Sequence, residues 1–496
     1  FTGGNTLQAA TGGGLTEKIF EPVYRNLLLN YEQASGWRNR PDNRGSLLAA
    51  AGPFDTGGEW VEVRIDSSGM YSITGAQLEP LGVSPGQIET ATLRMFTGGN
   101  GMLNENLTGF EPKLTEVAIT VVDGGDGRFD TSDRILFYGL ATDRFTVSSS
   151  GTVSYQRHRY ENNAAYWLNW GAGSGGARRI SSTQGESNGS TPDTDAERWF
   201  HFEDNTEYLA LEPNNVAEPV NPAPDYWGWV LDQDQSGQIS RQFSLPAAPA
   251  DTNHRLRFQI YGLGIEFPDA WSATLNGNAL DSGINRNVQA LTSQWLSVPT
   301  GLLNQTANDF TLTARGQHLG WYELRTVLPL VLENDTQFEF YHRRFATNRS
   351  FLFDASTPES MELFEVTDPE SPVMVSRGGD GVFYAPTSTV LLPPRSFVAV
   401  AGQGYRSPVA VRRYQSTGLK SFGGAEYLVI TSRELTAQAS ELASMRQNRF
   451  STRVVNVEDI YAEFSLGPAD PAAVRNFLYY AYNYWTVRPQ IVVFFG

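Results

Sequence analysis

The chain has 496 residues, a formal charge of −17, 40% apolar residues and no cysteine. Such a length holds roughly three or four domains with real cores, and zero cysteine excludes a disulfide framework, thiolate metal sites and a thiol nucleophile within these residues. The acidic balance, with no basic run beyond pairs such as Arg178-Arg179, excludes a nucleic-acid partner, and no stretch reaches the about 18 apolar residues of a transmembrane segment.

Charged residues at 18%, 48 glycines and 12% aromatics describe a β-rich extracellular protein with many turns. Phe1 in place of an initiator Met implies a segment lost from the amino terminus. Residues 1–57 read as a Gly- and Thr-rich tail followed by a helix over Glu17 to Trp37, with Ile19, Val23, Leu27 and Tyr31 on one stripe. Residues 58–143 form a β-rich domain. Its first element is an expected hairpin, Trp60–Ile65 with Met70–Ile73 across Asp66-Ser-Ser-Gly69. A helical turn over Ala76–Leu81 and strands Leu93–Phe96 and Glu116–Val122 follow.

The densest carboxylate cluster is Asp123, Asp126, Asp130 and Asp133, interleaved with glycines. Hard oxygen donors on a tight loop suit Ca²⁺; the same residues suit an acidic hairpin turn in which Asp and Gly serve the backbone. The spacing departs from an EF-hand, since no Glu closes the loop. Asp232 to Ile239 matches the first eight EF-hand positions, but Phe243 stands at position twelve, so a turn between strands is expected.

Residues 144–238 are a loop-rich β region around the strand Tyr166–Trp170. His158 and His201 stand singly beside aromatics and read as packed rather than metal-ligating. Residues 239–345 carry strands about every ten residues and an Asn276-Gly277 turn, as in a jelly-roll-like β-sandwich. Its Trp271, Trp295, Trp321 and Tyr322 would serve either a glycan surface or the core. Residues 346–426 continue as a β-rich connecting region of short strands.

Residues 427–496 change period. The apolar runs Tyr427–Thr431, Arg453–Val457 and Ile491–Phe495 alternate with helical stretches, which predicts an α/β unit with a parallel sheet. Thr431-Ser-Arg-Glu434 has capping-box spacing, and Leu435, Ala439, Leu442 and Met445 form the expected apolar stripe of the first helix. Asp470-Pro471 reads as an N-cap followed by Pro at the first helical position. The fold class is therefore multidomain and mainly β, closing on the start of an α/β parallel-sheet domain.

These elements, with Val454–Tyr461, Asp470–Leu478 and Val-Val-Phe-Phe-Gly496, resemble the start of the gingipain-type (family C25) cysteine peptidase domain. The hairpin after Trp60, the Asp-Gly-x-Phe-Asp run at 126–130 and Leu363–Pro369 resemble the amino-terminal part of the same family. The resemblance implies a caspase-like domain and a relationship to the sortase of the bacterial type IX secretion system. It implies an extracytoplasmic, cell-surface or secreted location, with protein substrates or secretion-system and cell-surface partners. The catalytic His and Cys of the family would follow residue 496, so no catalytic residue is assigned here. A non-catalytic surface scaffold, adhesin or filament subunit is the alternative.

Overall fold

The computed structural model describes residues 52–496 except 56, 105–112, 148–151, 173–175, 185–186, 188, 190, 205–206, 209–226, 229–236, 253, 263–268, 286–290, 315–316, 333–335, 343–347, 356–359, 387–393 and 403. The expected helix over Glu17–Trp37, the strand Val390–Leu392 and most of the EF-hand-like segment lie outside the described residues.

Strand β1 (Glu59–Ile65) and strand β2 (Gly69–Thr74) follow one another but do not form the expected hairpin. They enter different sheets. The remaining strands of this part are β3 (Arg94–Thr97), β4 (Thr115–Val117), β5 (Ile119–Val122), β6 (Arg134–Gly139), β7 (Arg144–Val147), β8 (Val153–Gln156) and β9 (Ala164–Trp170). β1 lies between β9 and the much later strand Ala410–Tyr414, in a five-stranded sheet that continues through β3 to β4. β2 pairs with β6, which also pairs with β5. The reason is burial on both faces of β1. Val61, Val63 and Ile65 enter the core between the two sheets, while Trp60 packs with Phe54, Trp167 and Tyr414 on the opposite face. A strand covered on both faces belongs in a sheet interior, with a partner on each edge.

The run expected as one strand over Glu116–Val122 is two. Ala118 breaks it, donating its N–H to the carbonyl of Glu370 at 2.9 Å, and the chain passes from one sheet to the other. The expected turn over Ala76–Leu81 is a short helix, Gly75–Leu78, continued as a 3-10 turn to Leu81 and stopped at Gly82 with φ 75°.

Strands β10 (Asp195–Phe202), β11 (Gln238–Phe243), β12 (His254–Gly262), β13 (Asp269–Leu275), β14 (Asn278–Asn285), β15 (Asn308–Ala314), β16 (Gln317–Pro329), β17 (Gln337–His342), β18 (Met361–Glu365) and β19 (Arg395–Ala401) build the middle of the molecule. β18, β19, β17, β10, β16 and β12 run in that order through a ten-stranded sheet, while β11, β15, β13 and β14 form a four-stranded one. The two face each other across one core: Phe243, Trp271, Phe310 and Leu312 from one side, Phe258, Tyr322 and Leu324 from the other. Between β13 and β14, Asn276 (φ 50°) and Gly277 (φ 75°) form the expected tight turn. Trp271 and Tyr322 are buried in this core and present no glycan surface.

β20 (Ala410–Tyr414) returns the chain to the first sheet. The last part is β21 (Tyr427–Thr431), α1 (Thr436–Ser444), β22 (Thr452–Asn456), α2 (Val457–Phe464), α3 (Pro471–Tyr484) and β23 (Ile491–Phe495). As predicted, the sheet is parallel, with β21 central between β22 and β23. Alternate residues of β21 face opposite layers. Tyr427 and Val429 pack with Ala439 and Ala443 of α1, while Leu428 and Ile430 pack with Phe464, Phe477 and Trp485 on the α2 and α3 side. α3 begins as expected, with the Asp470 side chain accepting from the Ala472 N–H at 2.7 Å.

Two local expectations are corrected. Neither Thr431 nor Ser432 caps the helix with its side chain, and a 3-10 turn over Arg433–Leu435 leads into α1. The stripe that enters the core is Ala439 and Ala443, and Met445 is 71% exposed. Small side chains let α1 sit close on the sheet: of the expected stripe Ala439 enters the core, joined by Ala443 in place of Met445.

The first sheet carries the last unit on its outer face. Trp167 Nε1 donates to the Leu466 carbonyl at 2.8 Å, and Arg64 Nη2 donates to the Gly467 carbonyl at 2.7 Å. A Cβ on Gly467 would come within 2.1 Å of the Ala165 Cβ, so only glycine fits this contact.

Candidate functional site

In a parallel α/β sheet, ligands and reacting groups gather beyond the carboxyl ends of the strands. Here Thr431, Asn456 and Phe495 end the three strands in register. The first two strand ends lead directly into helix entries, so the polar residues just past Thr431 and Asn456 share one edge.

The crossovers from β21 and β22 are tied together at this edge. The Arg433 N–H donates to Glu458 Oε1 at 3.2 Å, and Arg433 Nη2 donates to Asp459 Oδ1 at 2.7 Å. Thr436 Oγ1 donates to Asn456 Oδ1 at 2.7 Å. Glu458 and Asp459 stand in the first turn of α2, where the helix dipole favours carboxylates. Burial works against the Arg433 charge, but the hydrogen bond and charge of Asp459, then the charge of Glu458, hold its pKa above the ordinary value. The carboxylate that the Thr431-x-x-Glu434 spacing assigned to this helix start is thus supplied from the next crossover by Glu458.

Thr431 is 3% exposed, and its Oγ1 has no hydrogen-bond partner among the described residues; the same holds for the buried Oε2 of Glu458. The edge therefore gathers hydroxyl, carboxylate and guanidinium groups. It offers no nucleophilic thiol, since the chain has no Cys, and its five histidines all precede residue 420.

Asp123, Asp126, Asp130 and Asp133 lie on the connection between β5 and β6. Asp123 Oδ1 accepts from the Gly125 N–H at 3.0 Å, Asp126 Oδ1 from Arg128 at 2.9 Å and Asp133 Oδ2 from Asp130 at 2.6 Å. The Gly125 N–H, chief among its hydrogen bonds, holds the Asp123 carboxyl below its ordinary pKa. Asp130 gives its carbonyl to the Asp133 N–H. These bonds are those of a hairpin turn. Among the described residues no group of three or more His, Cys, Asp or Glu is arranged to hold a metal ion.

His158 is 2% exposed and buried beside Tyr160, and burial holds its imidazole below the ordinary pKa. His201 is also packed, stacked on Tyr155 with ring centroids 3.7 Å apart. Trp295 and Trp321 are partly exposed, and the Arg257 guanidinium lies 4.5 Å from one ring and 5.4 Å from the other.

The profile of Peptidase family C25 matches residues 420–496, the segment that contains this edge. Over that segment the chain is similar to the family C25 peptidases. The crystal structure of dimeric latent PorU from Porphyromonas gingivalis superposes on 88% of the chain with a TM-score of 0.64 and 18% sequence identity. The chain therefore shares the fold of that PorU structure over most of its length. It spans 41% of the length of that PorU chain. The human MASP-1/3 CUB1-EGF-CUB2 fragment aligns over 34% of this chain and 94% of its own, with 6% identity and a TM-score of 0.13. The Bacillus thuringiensis delta-endotoxin Cry8Ea1 aligns over 54% of this chain and 52% of its own, with 9% identity and a TM-score of 0.15. Neither likeness is close enough to carry an argument. No curated protein matches the chain in sequence. No helix among the described residues is long and apolar enough to cross a membrane.

Proposed function

We propose that this chain is the framework part of an extracytoplasmic gingipain-type cysteine peptidase or type IX secretion sortase, with Cys–His acyl transfer carried by residues beyond 496. The observation that carries the reading is the parallel sheet β22-β21-β23, covered by helices on both faces, within the segment that matches Peptidase family C25. In this chemistry a thiolate attacks the substrate carbonyl and expels the amine as a thioester forms; water or a second amine then releases the acyl group. The Thr431, Arg433, Asn456 and Glu458 edge would orient the protein substrate, and the β-rich part would hold that edge and meet secretion-system or cell-surface partners.

The test is a peptidase and transpeptidation assay on the product of the complete reading frame that contains this sequence, with and without thiol alkylation. Alkylation-sensitive cleavage or transfer, absent from the 496-residue chain alone, is expected. Lack of such activity in the complete product favours a non-catalytic scaffold, adhesin or filament subunit. Fractionation that finds the protein in the cytoplasm overturns the assigned location.

A further inference from the structure

On the face of the large sheet away from its sandwich core, the hairpin β7–β8 covers a cluster of buried charges. His201, on β10, stacks against Tyr155 of β8 with the rings 6° from parallel. Its Nε2 lies 2.9 Å from Glu203 Oε2, and its Nδ1 lies 3.2 Å from Glu323 Oε1. The three side chains are 6%, 9% and 1% exposed. Arg257 Nε donates to the second oxygen of Glu323 at 2.6 Å, and its Nη2 reaches the Val153 carbonyl of the hairpin at 3.3 Å. Arg157, just past the hairpin, pairs with Glu203. Val153, Phe145 and Val147 pack on Trp199 and Tyr341 of the sheet.

A neutral imidazole has one N–H and one lone pair. Here both ring nitrogens face carboxylate oxygens. Only the imidazolium donates to both; a neutral ring turns its lone pair on a buried carboxylate. We infer that His201 is held as an imidazolium and is the pH-sensitive rivet that fastens the β7–β8 hairpin to the sheet.

The surrounding charges fit this reading. Asp143 and Arg157 flank the hairpin, Glu203 follows β10, Arg257 faces in from β12, and Glu323 from β16; Arg325 of β16 shares the Trp295 ring with Arg257, and Glu197 of β10 accepts from Trp199 on the same face. With His201 charged, the cations Arg157, His201 and Arg257 stand among the carboxylates Asp143, Glu203 and Glu323. Burial opposes the charged ring, but the bonds to Glu203 and Glu323 override it and raise its pKa. Burial likewise opposes the Glu203 charge, and the His201 bond and the Arg157 charge keep its pKa below the ordinary value. A raised folded-state pKa fixes the sign: the fastening is complete below the unfolded histidine value of about 6.5 and is lost as pH rises through the folded one.

The test is hydrogen exchange of the full chain at pH 5.5 and 8.5, corrected for intrinsic rates and read on peptides covering 144–147 and 153–156, together with NMR titration of the imidazoles. The expected result is a fall of about tenfold in hairpin protection at the higher pH, with His201 the last imidazole to lose its proton. In Glu203→Gln the neutral ring donates to Glu323 and accepts from the amide, so protection is expected to hold at both pH values. His201→Gln removes the dependence as well. Constant protection in the native chain, or an equal fall in Glu203→Gln, overturns the inference, as does NMR that finds His201 neutral at pH 5.5.

Discussion

Asp470 joins two distant parts of the chain through its two carboxylate oxygens. Oδ1 accepts from Ala472 in the first turn of α3, and Oδ2 accepts from the Leu103 N–H at 2.8 Å, a residue 367 positions earlier. Asp470 is 2% exposed, so water does not replace either bond. Asp470→Ala removes a cap worth about 0.5–2 kcal/mol and strands a second donor at about 1–3 kcal/mol. Denaturant unfolding is expected to show a loss of about 2–4 kcal/mol, with Asp470→Asn intermediate.

Gln337 acts as a substitute strand. Its Oε1 accepts from the Met70 N–H at 2.8 Å, and its Nε2 donates to the carbonyls of Met70 at 3.0 Å and Gly404 at 2.8 Å. Met70 lies at the sheet edge that the expected hairpin would have covered, and Arg406 takes the next position, its backbone bonding to Met70 and Ser72. Gln337→Glu turns a carboxylate on two carbonyls. It is expected to cost about 2 kcal/mol or more at pH 8, and less at acid pH, where the carboxyl takes up a proton and donates. Parallel unfolding curves at pH 5 and pH 8 check the direction.

Glu339 is expected to make stability fall with rising pH. Burial drives its pKa up to about 7, against the hydrogen bond of Tyr341 and the charge of Arg406. A pKa above the unfolded value of about 4.3 means that its contribution is complete below that value and is lost as pH rises through about 7. His201 acts in the same direction, so the two must be separated by substitution. Glu339→Gln is expected to flatten the unfolding free energy between pH 5 and 8 by more than about 1 kcal/mol relative to the native chain.

The carboxylates of Asp123, Asp126 and Asp133 already accept backbone N–H groups. On this geometry millimolar Ca²⁺ is expected to leave the melting temperature unchanged, and Asp133→Ala to lower stability by about 1 kcal/mol through the lost bond to Asp130. A rise in melting temperature with Ca²⁺ that Asp133→Ala abolishes would assign the loop an ion instead.

Local chemistry was legible in the sequence wherever neighbours along the chain decide the outcome. Asp470-Pro471 starts a helix because a short carboxylate and a missing N–H suit the first turn. Asn276-Gly277 turns because both residues tolerate positive φ. The apolar runs at Tyr427, Arg453 and Ile491 alternate with helices, and a parallel sheet is the arrangement that short crossovers allow. Partners remote in sequence left no such mark. β1 chose β9 and β20 over its neighbour β2, Glu458 took the Arg433 N–H where a Thr431–Glu434 capping box was expected, and Trp271 and Tyr322 went to the core. The charges that converge on His201 come from three strands and a hairpin. Tertiary structure alone decided these, because burial on both faces and pairing of buried charges are satisfied by whatever the fold brings alongside.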